Sequence, residues 1–170
     1  MKIGRRTKMA LKATMCTASC LLLITFIAGP ALSEESASGH REEGIEDSND
    51  VAIFLGGSHH KDENGFSVGL DFEHRLSTIF GVGGLVEYTA GDFDSWVVAA
   101  PLFVHPYKGF RLILAPGFEN KEGDNNFLFR TGLAYQFEIG NKWSISPEYN
   151  ADFVNGETVH VYGISFGLGF

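Results

Sequence analysis

Ser58, His59 and His60 stand side by side in this chain, and a further histidine, His160, lies near its C-terminus. Imidazoles with carboxylates such as Asp62, Asp152 and Glu157 in reach suit Zn²⁺ or another divalent ion. His59, His60 and His160 are therefore candidate metal ligands if the fold brings them together. Ser58 next to either neighbouring histidine, with an acid to orient the ring, supplies the parts of an acyl-transfer nucleophile. A second set is purely ionic. Glu87, Arg111, Arg130, Glu148 and Asp152 sit in stretches otherwise made of apolar and small residues, and charges enclosed there must pair with one another. No cofactor is expected.

The elements that would position these residues have an apolar period of two, not 3.6. In "FSVGLDFEHR" Phe66, Val68, Leu70 and Phe72 alternate with Ser67, Gly69, Asp71 and Glu73. The same alternation runs through 51–60, 66–75, 79–89, 95–105, 110–119, 126–138, 143–153 and 160–170. That predicts eight strands and no helix. Tight connectors, "LST", "PYKG" and "IGNK", alternate with longer and more acidic ones, "KDENG", "AGDFD", "NKEGDN" and "VNGET". An up-and-down antiparallel meander follows, with short turns on one rim and longer loops on the other. Closing it places the end of the first strand beside the start of the last, so all three histidines share the long-loop rim. Pairing across "IGNK" sets Arg130 beside Asn150 or Asp152, with Glu148 one step away. Pro101, Pro116 and Pro147 fall inside these strands, and bulges or strand ends are expected near them.

Residues 1–33 read as a secretory signal: Lys2, Arg5, Arg6, Lys8 and Lys12 precede the apolar "CLLLITFIA", with Ala31 and Ser33 at a cleavage site. Both cysteines, Cys16 and Cys20, lie in that segment, so the remaining chain has no thiol chemistry and no disulfide. The segment holds five of the 13 basic residues and none of the 21 acids, which leaves a net charge of −13. Nucleic acid is excluded as a partner by that balance. Residues 34–50 carry seven acidic side chains and one clearly apolar residue, Ile45, and read as a disordered leader.

Alternating strands build two kinds of barrel, a soluble calyx with its apolar face inward and a membrane barrel with that face outward. Three features favour the second. The strands are long enough to cross hydrocarbon at a tilt. Aromatic residues on the apolar face, among them Phe66, Phe80, Trp96, Phe118, Phe127, Trp143 and Phe170, gather near strand ends, where a membrane interface would hold them. The polar face combines charges with Gly69, Gly81, Gly117, Gly132, Ser144 and Ser165, as the cramped interior of eight strands requires. Ile79, Leu85, Val97, Phe103, Ile113 and Leu128 also fall on that side, so the interior is mixed and no open pore is expected.

Residues 51–170 thus resemble the small outer-membrane β-barrel family, of the kind formed by the OmpA transmembrane domain. The end of the chain carries the resemblance: Tyr162, Ile164, Phe166, Leu168 and Phe170 at every second position are similar to the signal read by the outer-membrane assembly machinery. The resemblance implies an all-β, eight-stranded antiparallel transmembrane barrel in the outer membrane of a Gram-negative bacterium. Its expected partners are lipid, lipopolysaccharide and the assembly machinery, and it is expected to be monomeric. The expected role is structural or surface-interactive, with a narrow charged lumen, and not enzymatic. Two alternatives remain: a lipid A-modifying acyl hydrolase or acyltransferase with its site at the extracellular rim, and a soluble periplasmic calyx binding an apolar ligand. No His-x-Ser motif on one strand accompanies the first of these. Deleting Phe170 is expected to lower the outer-membrane level of the protein on immunoblots; an unchanged level would contradict the assembly-signal reading.

Overall fold

The computed structural model describes residues 48–170, so the signal segment 1–33 and the leader through residue 47 lie outside the described residues. Ten strand segments follow one another: β1 (Asn49–His60), β2 (Glu63–Arg75), β3 (Phe80–Gly91), β4 (Ser95–Ala99), β5 (Leu102–Tyr107), β6 (Phe110–Lys121), β7 (Asp124–Tyr135), β8 (Phe137–Ile139), β9 (Trp143–Val154) and β10 (Glu157–Gly169). They make eight staves, because β4 with β5 and β7 with β8 each continue in one register across a short interruption. Each stave pairs antiparallel with its neighbours in chain order, and β1 pairs β10 from Asp50↔Gly169 to His59↔His160. The sheet is a closed barrel. At the closing seam Asn49 and Phe170 exchange backbone hydrogen bonds of 3.1 and 2.9 Å.

Period-two sequence gives a barrel here with its apolar face outward. Ile53, Leu70, Phe72, Val98, Leu112, Leu133, Ile164 and Phe166 are all exposed, while Glu73, Glu87, Arg111, Arg130, Glu148 and Asp152 are buried. Leu85, Val97, Ala99, Phe103, Ile113, Ala115 and Leu128 form an apolar cluster inside the lumen, on the third to sixth staves. Eight staves leave a bore just wide enough for side chains, so glycine decides which of them fit. The Phe54 ring, 1 % exposed, lies over the positions where Gly56 and Gly163 would carry a Cβ. Glu73 and Asn150 likewise occupy the space above Gly81 and Gly132.

The structure corrects four expectations. The barrel begins at Asn49 rather than residue 51, with Ser48 already accepting a hydrogen bond from the Arg75 amide. The connectors expected to be long are not. Three of them are two-residue turns, Lys61-Asp62, Glu122-Gly123 and Asn155-Gly156, and the strands run on through the flanking polar residues. Positive φ at Glu122, Gly123, Asn155 and Gly156 is what primed hairpin turns demand. Only residues 92–94 form a longer connection on that rim, and Phe93 tucks inward beneath it.

Third, Pro116 and Pro147 lie within unbroken strands, paired with Phe129 and Ile164. Of the staves that carry these prolines, the fourth is the interrupted one. Pro101 accepts from Gly83 but has no N–H to return, and Pro116 accepts from Ala100 without returning one either. The bulge lies elsewhere, between Val104 and Tyr107, where Pro106 sits. Fourth, Ile79, expected inside, is exposed in the turn after β2.

Packing over glycine yields a paired prediction. Gly56→Leu drives its side chain into the Phe54 ring and is expected to cost about 1–3 kcal/mol in urea unfolding from micelles. Gly84→Ala, whose Cβ meets nothing within 4 Å, leaves that midpoint unchanged.

Candidate functional site

Two guanidiniums organise the interior. Arg130, on β7, donates from Nε and Nη2 to both carboxylate oxygens of Asp152 at 2.6 and 2.7 Å, and from Nη1 to Glu87 at 2.7 Å. Register explains the first contact, since Arg130 and Asp152 are direct partners across β7 and β9. Nothing local explains the second: β3 lies across the lumen, and only closure brings Glu87 there. Arg111, near the start of β6, donates to Glu148 at 3.2 Å, stands 3.8 Å from Glu73, and lies over the Phe103 ring at 5.2 Å. Glu148 also accepts from Asn150 (2.7 Å) and Ser165 (3.0 Å).

Glu73, inward-facing by the alternation but not among the five residues of the expected network, is a hub. Its carboxylate meets His105 Nε2 at 2.7 Å and Arg75 at 3.7 Å, besides Arg111. Its inward parity was visible in the alternation of β2, but the convergence of β2, β5 and β6 on it depends on the stagger of the staves. A third group is uncharged. Ser58, Ser67 and Thr89 form a hydroxyl row with spacings of 2.7 and 2.8 Å, on the half of the lumen away from the chain ends.

The structure does not assemble the histidine site. His59 and His60 are consecutive on a strand and face opposite sides of the wall. His60 turns toward the lumen, with Nδ1 2.8 Å from the Thr158 carbonyl and Nε2 3.3 Å from Glu157. His59 and His160 are register partners, yet they lean apart: His59 Nδ1 contacts Asn64 on β2, and His160 Nδ1 contacts the Tyr149 hydroxyl on β9, each at 2.7–2.8 Å. Among the described residues no three His, Cys, Asp or Glu side chains gather to hold a metal ion. Ser58 is buried against Ser67, with neither neighbouring imidazole on its hydroxyl. The acyl-transfer set is therefore not formed. Of the segment 162–170, Tyr162, Ile164, Phe166 and Phe170 are exposed on the outer face and Leu168 is half-buried.

Closed meander, apolar exterior and ionic interior together define the architecture, and solved structures share it. A structure of Ail, the attachment invasion locus protein of Yersinia pestis, in complex with the heparin analogue sucrose octasulfate, superposes with a TM-score of 0.56 at 16% identity, covering 74% of this chain and 100% of that one. The N-terminal β-barrel domain of Pseudomonas aeruginosa OprF gives 0.55 at 12%, covering 73% and 99%. A de novo designed transmembrane β-barrel gives 0.50 at 12%, covering 70% and 95%. The chain has the fold of the small outer-membrane β-barrels. No protein-family model and no curated protein matches it.

Within such a barrel the lumen is a low-dielectric space, where removing one partner of a buried ion pair leaves an uncompensated charge. Arg130→Ala strands both Asp152 and Glu87 and is expected to cost about 3–5 kcal/mol in unfolding from micelles. Combining it with Glu87→Gln and Asp152→Asn removes the stranded charges and recovers most of that loss.

Proposed function

We propose that this chain is an outer-membrane barrel with a structural role in the lipid layer, and that its lumen conducts no ions. The observation that carries the reading is the Arg130 clamp: one guanidinium joins carboxylates from two opposite walls and fills the bore between them. Arg111, Phe54 and the apolar cluster occupy what is left. The exposed apolar band supports residence in lipid, and its aromatic ends support anchoring at both interfaces.

The export signal expected over residues 1–33 supports an orientation with the rim holding Asn49 and Phe170 in the periplasm and the opposite rim outside. Such turns offer little surface for adhesion, which favours a structural over a surface-interaction role. Acidic turn residues (Asp62, Asp92, Asp94 and Glu122) also make a poor match for a sulfated polyanion like that bound to Ail. The buried, hydroxyl-bonded Ser58 gives no support to lipid A chemistry.

Purified protein in planar bilayers is expected to give no discrete conductance steps, and a strain lacking it to keep its lipid A species while becoming more sensitive to detergent. Regular single-channel steps would overturn the closed lumen. An altered lipid A profile would favour the enzyme.

A further inference from the structure

We infer that the periplasmic rim binds the phosphate of an anionic phospholipid in the inner leaflet, through Lys108 and Lys142. The inference rests on the orientation proposed above. Its starting point is how the lysines of the two rims are used. Outside, Lys61 is neutralised by Glu157 at 2.6 Å, and Lys121 by Glu63 at 3.6 Å. At the periplasmic rim, among the described residues, Lys108 and Lys142 have no ion-pair partner, while Arg75 is turned toward Glu73 and His105.

The two lysines belong to neighbouring turns. Lys108 precedes Gly109, whose carbonyl accepts a 2.6 Å hydrogen bond from the Gln136 amide at the head of β8. Lys142 closes the next turn, between β8 and β9. Between them β8 pairs only with β9, so its other edge is open at this rim. Phe137, Glu138 and Ile139 are all exposed there.

Each lysine is flanked by an exposed aromatic residue, Tyr107 at 75% and Trp143 at 60%. Aromatic rings settle at the headgroup level, and lysine stems reach along apolar surface to place their charge at the same depth. Two ammoniums at that depth, unpaired among the described residues, complement lipid phosphate, and each basic residue near an anionic surface contributes an attraction equivalent to about a fivefold change in binding.

The test uses the full barrel reconstituted into mixed phosphatidylglycerol and phosphatidylcholine nanodiscs, then released for native mass spectrometry. Wild type is expected to retain phosphatidylglycerol over phosphatidylcholine, with the preference falling about fivefold in Lys108→Gln and further in the Lys108→Gln/Lys142→Gln pair. Lys61→Gln/Lys121→Gln is expected to keep it. Equal retention of both lipids by wild type, an unchanged preference in the periplasmic pair, or a loss confined to the outer pair overturns the inference. Heat-modifiable gel migration of each sample reports the barrel separately. A wild-type chain without that shift defeats the underlying reading itself.

Discussion

Lipid offers no hydrogen-bond partner to a peptide group, and the shape of this protein follows from that constraint. A sheet with an apolar exterior must satisfy its backbone internally, so β1 has to find β10 and the seam has to close down to the reciprocal Asn49–Phe170 bonds. Closure with eight staves fixes the bore, and the bore fixes what the interior can contain. Glycine under Phe54, Glu73 and Asn150 is the same constraint seen from inside. The wall tolerates little departure from it. Pro101 on the fourth stave and Pro116 beside it on β6 each withhold a donor, and the register nevertheless continues unchanged from Ser95 to Val104.

Charge placement is the second consequence. Two unit charges about 4 Å apart interact by about 4 kcal/mol at an effective dielectric constant of 20, while desolvation of each ion costs several kcal/mol. Geometry decides between these terms. Arg130, with three hydrogen bonds of 2.6–2.7 Å to two carboxylates, meets the condition under which a buried pair holds. Arg111 is looser: its contacts are 3.2 and 3.8 Å, and its Nε has no partner among the described residues. The Arg130 clamp is the firmer of the two crosslinks. It joins β3 to the β7–β9 pair, which chain connectivity alone leaves apart.

Alternation made the strands, their outward face and the Arg130–Asp152 partnership legible, because side-chain parity and antiparallel register are both local rules. What escaped depends on three-dimensional stagger or on where the pattern loses its apolar half. Glu73 acquires His105 and Arg111 only through the offset of three staves. Polar residues such as Glu63, Asn64 and Asn125 read as loop, yet at a water-facing rim the ladder continues without an apolar face, so the turns shrank to two residues. Asn155-Gly156 carried the signal for this, being the favoured pair for a primed turn. The histidines failed for a related reason: sharing a rim brought their backbones together, while parity and neighbouring Asn64 and Tyr149 drew their rings apart.

Everything rests on the direction of the apolar face, and the chain's two tryptophans report it. Trp96 and Trp143 are both on the outer wall, 52% and 60% exposed. Acyl-chain brominated lipids should therefore quench the fluorescence of each in single-tryptophan variants, Trp96→Phe and Trp143→Phe, with little quenching from aqueous acrylamide. Tryptophans indifferent to brominated lipid would place the apolar face inside and contradict the account.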